Sequence, residues 1–68
     1  MNVVLNGDPC ELRDGARLPD AIALSGAPDD RRGVAVAVDG EVIPRGAWDL
    51  TRLSDGARVE VLQAVQGG

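Results

Sequence analysis

The sequence predicts an α+β fold in which a mixed sheet of four to five strands carries one main helix on one face. Short stretches with an apolar residue at every second position recur along the chain, and this spacing is typical of strands. Turns containing glycine separate most of these stretches, and one segment has apolar residues at helical spacing. Because the chain has only 68 residues, we expect a single domain over residues 1–68 with a small core.

The first two strands are expected to form a β-hairpin. Apolar and polar residues alternate over residues 1–5, so that one face of this strand is apolar. Asn6-Gly7 follows, and this residue pair is preferred in two-residue hairpin turns. After Asp8-Pro9, a second alternation over residues 10–13 predicts the second strand.

Residues 18–26 predict a short helix. Pro19 lies in its first turn, where a proline is tolerated, and Gly26 ends it. Leu18, Ala21 and Ile22 fall on one side at helical spacing. We expect this apolar side to pack on the sheet.

The middle of the chain predicts a loop followed by two further strands. Residues 27–33 are polar and rich in turn-forming residues, which indicates a surface loop. Residues 34–38 place a valine at every second position, so they predict a strand. Asp39-Gly40 is a turn signal, residues 41–43 form a short strand, and Pro44 ends it or marks a sheet edge.

The remaining segments complete the predicted architecture. Residues 46–56 predict an irregular crossover with at most a turn of helix, and residues 58–64 predict the final strand. A hairpin, a helix crossing one face and a C-terminal strand that completes a mixed sheet make a β-grasp, or ubiquitin-like, fold. A ferredoxin-like fold is the main competitor, but it needs a second full helix.

Charge and composition argue against several classes of function. Eleven acidic residues against seven basic ones give a net charge of −4, which disfavours a nucleic-acid partner. The sequence has no histidine, lysine or tyrosine, so most side chains used in catalysis are missing, and we expect no catalytic residue and no enzyme activity. A single cysteine and the lack of a signal-peptide pattern or a long apolar span indicate a soluble cytoplasmic protein that does not enter a membrane.

Three features that could carry chemistry are better explained by structure. Cys10 lies on the inward side of its predicted strand with no base nearby, so we expect a buried structural thiol. Asp29-Asp30 has too few neighbouring ligands to bind a metal and lies next to Arg31-Arg32, which can neutralise it. Trp48, the one aromatic residue, is expected in the core.

The face of the sheet opposite the helix is predicted to be apolar and smooth. Two interpretations stay open: this face is a partner surface, or its residues are scattered or covered by the long connection. The candidate partner-surface residues are Val4, Ala35, Ala37, Leu62 and Ala64.

The chain ends in Gly67-Gly68, two residues without side chains. Residues 65–68, termed the tail from here on, are expected to be flexible, and such a tail fits a narrow slot in another protein. Its terminal carboxylate can attack the α-phosphate of ATP, and a sulfur donor can then convert the acyl-adenylate to a thiocarboxylate. A frayed end without function is the alternative.

The sequence resembles the ThiS family, the sulfur carrier proteins of thiamine biosynthesis. The similarity is carried by the segments Asn6-Gly7, 33–38, 41–45 with Trp48, and above all 56–68. Asp39, where an asparagine is expected, and Ala57, where an acidic residue is common, depart from the pattern.

The resemblance implies a β-grasp fold and a role as a protein cosubstrate. It implies that a ThiF-type enzyme using Mg-ATP adenylates Gly68, and that Gly67 gives access to the enzyme. The product would be a thiocarboxylate, made with sulfur from a donor such as a cysteine desulfurase system and passed to the thiazole synthase ThiG. Carriers for molybdopterin or cysteine synthesis, and a β-grasp interaction module with an inert tail, stay open as alternatives.

Overall fold

The structure, a computed structural model, describes residues 1–64. These residues form one sheet, one α-helix and one 3₁₀ helix. The elements in chain order are β1 (Asn2–Leu5), β2 (Asp8–Glu11), α1 (Leu18–Leu24), β3 (Val34–Val38), β4 (Glu41–Val42), the 3₁₀ helix (Arg45–Leu50) and β5 (Arg58–Gln63).

The five strands form a mixed sheet in the order β2-β1-β5-β3-β4. The pairs β1·β2, β3·β4 and β3·β5 are antiparallel, whereas β1 and β5 run parallel. Parallel neighbours need a crossover, and α1 lies in the connection between them. The last strand therefore lies in the centre of the sheet.

The core lies between α1 and the inner face of the sheet, which is the face that carries Val3, Val36, Val59 and Val61. Apolar side chains from both layers are buried there, because alternate strand residues point to the same face. The buried residues are Val3, Leu5, Leu12, Ala16, Leu18, Ala21, Ile22, Val36, Trp48, Leu53, Ala57, Val59 and Val61.

The predicted β-grasp fold is confirmed, and so is the helix whose Leu18, Ala21 and Ile22 face the core. The predicted second strand was wrong by two residues, because β2 covers Asp8–Glu11 and Pro9 pairs opposite Val4. Proline is tolerated there because β2 is an edge strand, where an N–H group is not needed.

Residues 45–50 differ from the expected irregular crossover. They form a 3₁₀ helix of six residues that packs on α1, with Pro44 directly before it. The side chain of Trp48 drives this packing, since it is buried in the core and its indole N–H donates to the carbonyl of Ile43 at 2.9 Å. The connection thus covers the helix side of the molecule.

Two tight turns hold asparagine or aspartate in the left-handed region of the backbone. Asn6 and Asp39 both have φ of 50°, and each precedes a glycine with φ above 80°. These are the backbone angles of hairpin turns that match the twist of the strands. Asp39 fills the role expected of an asparagine, since both residue types tolerate this conformation.

Candidate functional site

The outer face of the sheet, opposite α1, is built around β5. The strand register places Ala35 opposite Leu62, Ala37 opposite Glu60, and Val4 opposite Arg58. Ala35 and Leu62 are exposed, and Val4 and Ala37 are half-buried. Four of the five candidate surface residues therefore lie together on one described face.

Two features of the outer face were missed from the sequence. Val42 is 72% exposed, and it pairs with Ala37 at the β4 edge, so it extends the apolar area. Arg58 and Glu60 also point outward from the central strand, because they alternate with the buried Val59 and Val61. The outer face is therefore less apolar than predicted, because its apolar residues surround the charged side chains of Arg58 and Glu60.

Ala64, the fifth candidate, lies just beyond β5. Its backbone N–H donates to the carbonyl of Gly33 at 2.8 Å, so the pairing with the β3 side continues past the end of the strand. Gly33 has φ of +70°, a conformation that favours glycine. The expected acceptor Gly68, the access residue Gly67 and the predicted flexible tail 65–68 lie outside the described residues.

The side chain of Asn6 holds the other edge of β5. Its Oδ1 accepts a hydrogen bond from the Val61 N–H at 2.8 Å, and its Nδ2 donates to the Val61 carbonyl at 3.2 Å. The same residue's backbone N–H donates to the Val59 carbonyl at 2.9 Å. Sequence reasoning identified Asn6 as a turn residue and had no signal for this long-range contact.

The loop 27–33 is held by arginines in a way the sequence did not indicate. The guanidinium of Arg31 pairs with Asp49 at 3.8 Å, and the neutralisation of Asp29-Asp30 by Arg31-Arg32 stays a prediction. The side chain of Arg45 donates to the Arg31 carbonyl and lies 5.1 Å from the ring centre of Trp48. The core tryptophan is thereby connected to the loop that precedes Gly33.

Three other sequence expectations can be compared directly. Trp48 lies in the core, as predicted. Cys10 is half-buried and not buried, because β2 is an edge strand and the thiol lines a shallow groove beside Leu24. Asp29 and Asp30 are exposed, as a solvated loop requires.

Over residues 1–64, the structure places no group of three or more histidine, cysteine or acidic side chains close enough to hold a metal ion. Over the same residues, no helix is long and apolar enough to span a membrane.

A mixed sheet in this order, with one helix on its inner face and the last strand in its centre, defines a ubiquitin-like β-grasp domain. The end of β5 is part of this domain's outer face, since Leu62 lies on that face. A family model narrows the class further: the chain belongs to the ThiS family, whose model matches residues 3–68.

Two solved structures agree with this family. A crystal structure of thiamine biosynthesis protein ThiS from Geobacter metallireducens is 38% identical, with a TM-score of 0.76 and full coverage of both chains. A solution NMR structure of a thiamine biosynthesis protein from the same organism is 30% identical, with a TM-score of 0.77, all of this chain and 88% of the other being covered. A comparison with curated proteins gave no match.

Proposed function

We propose that this protein is a sulfur carrier of thiamine biosynthesis and acts as a protein cosubstrate, not as an enzyme. The observation that carries the proposal is the ThiS family match, which extends to residue 68 and therefore includes Gly67-Gly68. The two Geobacter structures named for thiamine biosynthesis support the same pathway. Residues 65–68 follow the central strand β5 and Ala64 in the sequence, which supports a role in delivering the C-terminus to a partner.

The proposed chemistry takes place at the carboxylate of Gly68. A carboxylate oxygen attacks the α-phosphate of Mg-ATP, pyrophosphate leaves, and an acyl-adenylate forms. A nucleophilic sulfur from a donor such as a cysteine desulfurase system then attacks the acyl carbon, and AMP leaves. When the sulfur comes from sulfide, the product is the thiocarboxylate itself. When it comes from a persulfide, the product is an acyl disulfide; a second thiol then attacks the donor sulfur, the donor leaves as a disulfide with that thiol, and Gly68 keeps the thiocarboxylate.

The partner supplies the ATP site and the catalytic groups, and this chain supplies recognition. A ThiF-type enzyme is the adenylating partner, and the thiazole synthase ThiG is the acceptor of the sulfur. The outer face is suited to binding these partners, because Val42 and Leu62 expose large apolar side chains beside the charged side chains of Arg58 and Glu60. Because the reaction consumes ATP, the proposal places the carrier in the cytoplasm.

Two alternatives remain candidates for the test. The same carrier chemistry could serve molybdopterin or cysteine synthesis, in which case a different adenylating enzyme accepts the chain. A β-grasp interaction module with an inert tail would use the outer face alone. The exposed side chains of Val42 and Leu62 fit both alternatives, so the outer face does not distinguish between them. A thiocarboxylate at Gly68 would exclude the inert module, and the adenylating enzyme that accepts the chain would identify the pathway.

The deciding experiment is the intact mass of the protein after incubation with Mg-ATP, a ThiF-type enzyme and a sulfide source. We expect one oxygen to be replaced by sulfur in the full-length chain and no change in a chain lacking Gly68. An unchanged mass, with an enzyme that is active on its own carrier, would refute the assignment to the thiamine pathway. Repeating the assay with adenylating enzymes of the other two pathways identifies a different sulfur route.

A further inference from the structure

The strand β1 ends before β5 does, so the end of β5 lacks a neighbouring strand on its β1 edge. β1 pairs with β5 only as far as Leu5 opposite Val59, after which the chain turns away at Asn6. β3 pairs along the other edge of β5 as far as Gln63. The segment from Val61 to Gln63 is therefore flanked by a strand on one edge only.

The side chain of Asn6 replaces the missing strand at this position. A side-chain amide carries the same donor and acceptor as a peptide group. Asn6 uses both of them on Val61, directly after its own backbone N–H has bonded to Val59. The left-handed backbone of Asn6, with φ of 50°, turns β1 away while the side chain continues the ladder along β5.

We propose that Asn6 is a positioning residue for the carrier reaction, because its amide fixes the end of β5, the last strand before the tail in the sequence. This inference rests on the proposed function. Asn6 bonds one edge of the segment at Val61, and Gly33 bonds the other edge at Ala64. Together they set the direction of the chain at the last described residue, two positions after Leu62 on the outer face.

The proposal predicts a particular kinetic signature. Without the amide, Val61 loses both hydrogen bonds on the β1 edge of β5, and the end of β5 samples open states. If only a fraction of molecules presents the tail in the docking direction, the apparent affinity falls by that fraction. Docked molecules react normally, so KM for the carrier rises and kcat at saturation stays unchanged.

Asp39 offers a matched control within the same chain. It has the same φ of 50°, also precedes a glycine, and its carboxylate accepts a hydrogen bond from the Arg58 N–H at 2.9 Å. Asp39 thus bonds the beginning of β5, and Asn6 bonds the end. Replacing either residue by glycine keeps the backbone conformation accessible, so both variants should fold.

The test compares N6G and D39G in adenylation by a ThiF-type enzyme, measured by ATP–pyrophosphate exchange at a temperature where both are fully folded. We expect N6G to raise KM by up to about tenfold, since the loss of two neutral hydrogen bonds shifts the opening equilibrium of the end of β5 by at least this order. We expect D39G to change KM by less than about twofold, because the structure keeps the end of β5 bonded in that variant. Hydrogen exchange should speed up at the Val61 amide in N6G alone.

The conservative variant N6D tests the two hydrogen bonds of Asn6 separately. The carboxylate in N6D can still accept from the Val61 N–H but cannot donate to its carbonyl, so its KM should lie between those of wild type and N6G. Equal KM values for N6G and D39G, a fall in kcat alone, or a raised KM with unchanged Val61 exchange would each overturn the proposal. Wild-type protein that is not adenylated refutes the proposed function itself, and this outcome is separate from the others.

Discussion

Leu62 gives the sharpest test of the outer face as a docking surface. This side chain is 64% exposed and lies next to Ala35 in the centre of the described candidate residues. We consider replacement of Leu62 by glutamine, which is similar in size and neutral. A charged replacement is avoided because Glu60 already points outward on the same strand.

The size of the effect follows from the exposure. Burying a whole leucine side chain contributes about 1.5–3 kcal/mol, so the exposed part can contribute about 1–2 kcal/mol when a partner covers it. This corresponds to about a five- to thirtyfold loss in kcat/KM for adenylation, since each 1.4 kcal/mol is about tenfold. Folding stability should change by less than about 0.5 kcal/mol, because the residue is at the surface.

Leu24 provides the control, because it is 59% exposed but belongs to α1 on the opposite side of the sheet. We expect L24Q to be adenylated at the wild-type rate in the ATP–pyrophosphate exchange assay, with urea unfolding recorded for both variants. Equal kcat/KM for L62Q and wild type, or equal losses in L62Q and L24Q, would show that the outer face does not dock the adenylating enzyme.

Two predictions concern stability. Replacing Trp48 by phenylalanine removes the indole donor to the half-buried Ile43 carbonyl and places a smaller ring in the core. We expect a loss of about 1–3 kcal/mol in urea unfolding followed by circular dichroism, and a loss below about 0.5 kcal/mol would contradict this role. The Arg17 backbone N–H donates to the Asp20 carboxylate and lowers the Asp20 pKa below its ordinary value of 3.8, with a smaller contribution from Arg13. This stabilisation is present above the ordinary pKa and is lost as the pH falls through the lower, folded-state pKa. D20N should therefore be less stable than wild type at neutral pH, and a difference that persisted in strong acid would contradict the assignment.

The fold could be predicted from the sequence because its signals are local. The alternation of valines from residue 34 to 38 and the helical spacing of Leu18, Ala21 and Ile22 each define a buried face without knowledge of the partner element. Pro9 misled the strand prediction because proline usually ends a strand. Whether a strand lies at an edge depends on the order of the whole sheet, and no local pattern reports that order.

The candidate site was predicted less completely, because its contacts join distant parts of the chain. The outward positions of Ala35 and Leu62 follow from the period of two, but Val42 was missed because a two-residue strand is too short to show a period. The bonds from Asn6 to Val61 and from Arg45 to the loop before Gly33 join elements that pack together only in the folded protein. Sequence spacing carries no signal for such pairs.

The position of β5 in the sheet explains why its end needs contacts from outside the strands. A terminal strand at a sheet edge could leave the sheet by opening one row of hydrogen bonds, whereas β5 is bonded to β1 on one side and to β3 on the other. The Asn6 side chain adds two bonds at Val61, and the Gly33 carbonyl extends the pairing to Ala64. A carrier must present its C-terminus in one direction to reduce the entropy lost on docking. β1 bonds β5 only as far as Val59, and beyond that residue Asn6 and Gly33 bond the two edges of the chain, as the positioning role proposed for Asn6 requires.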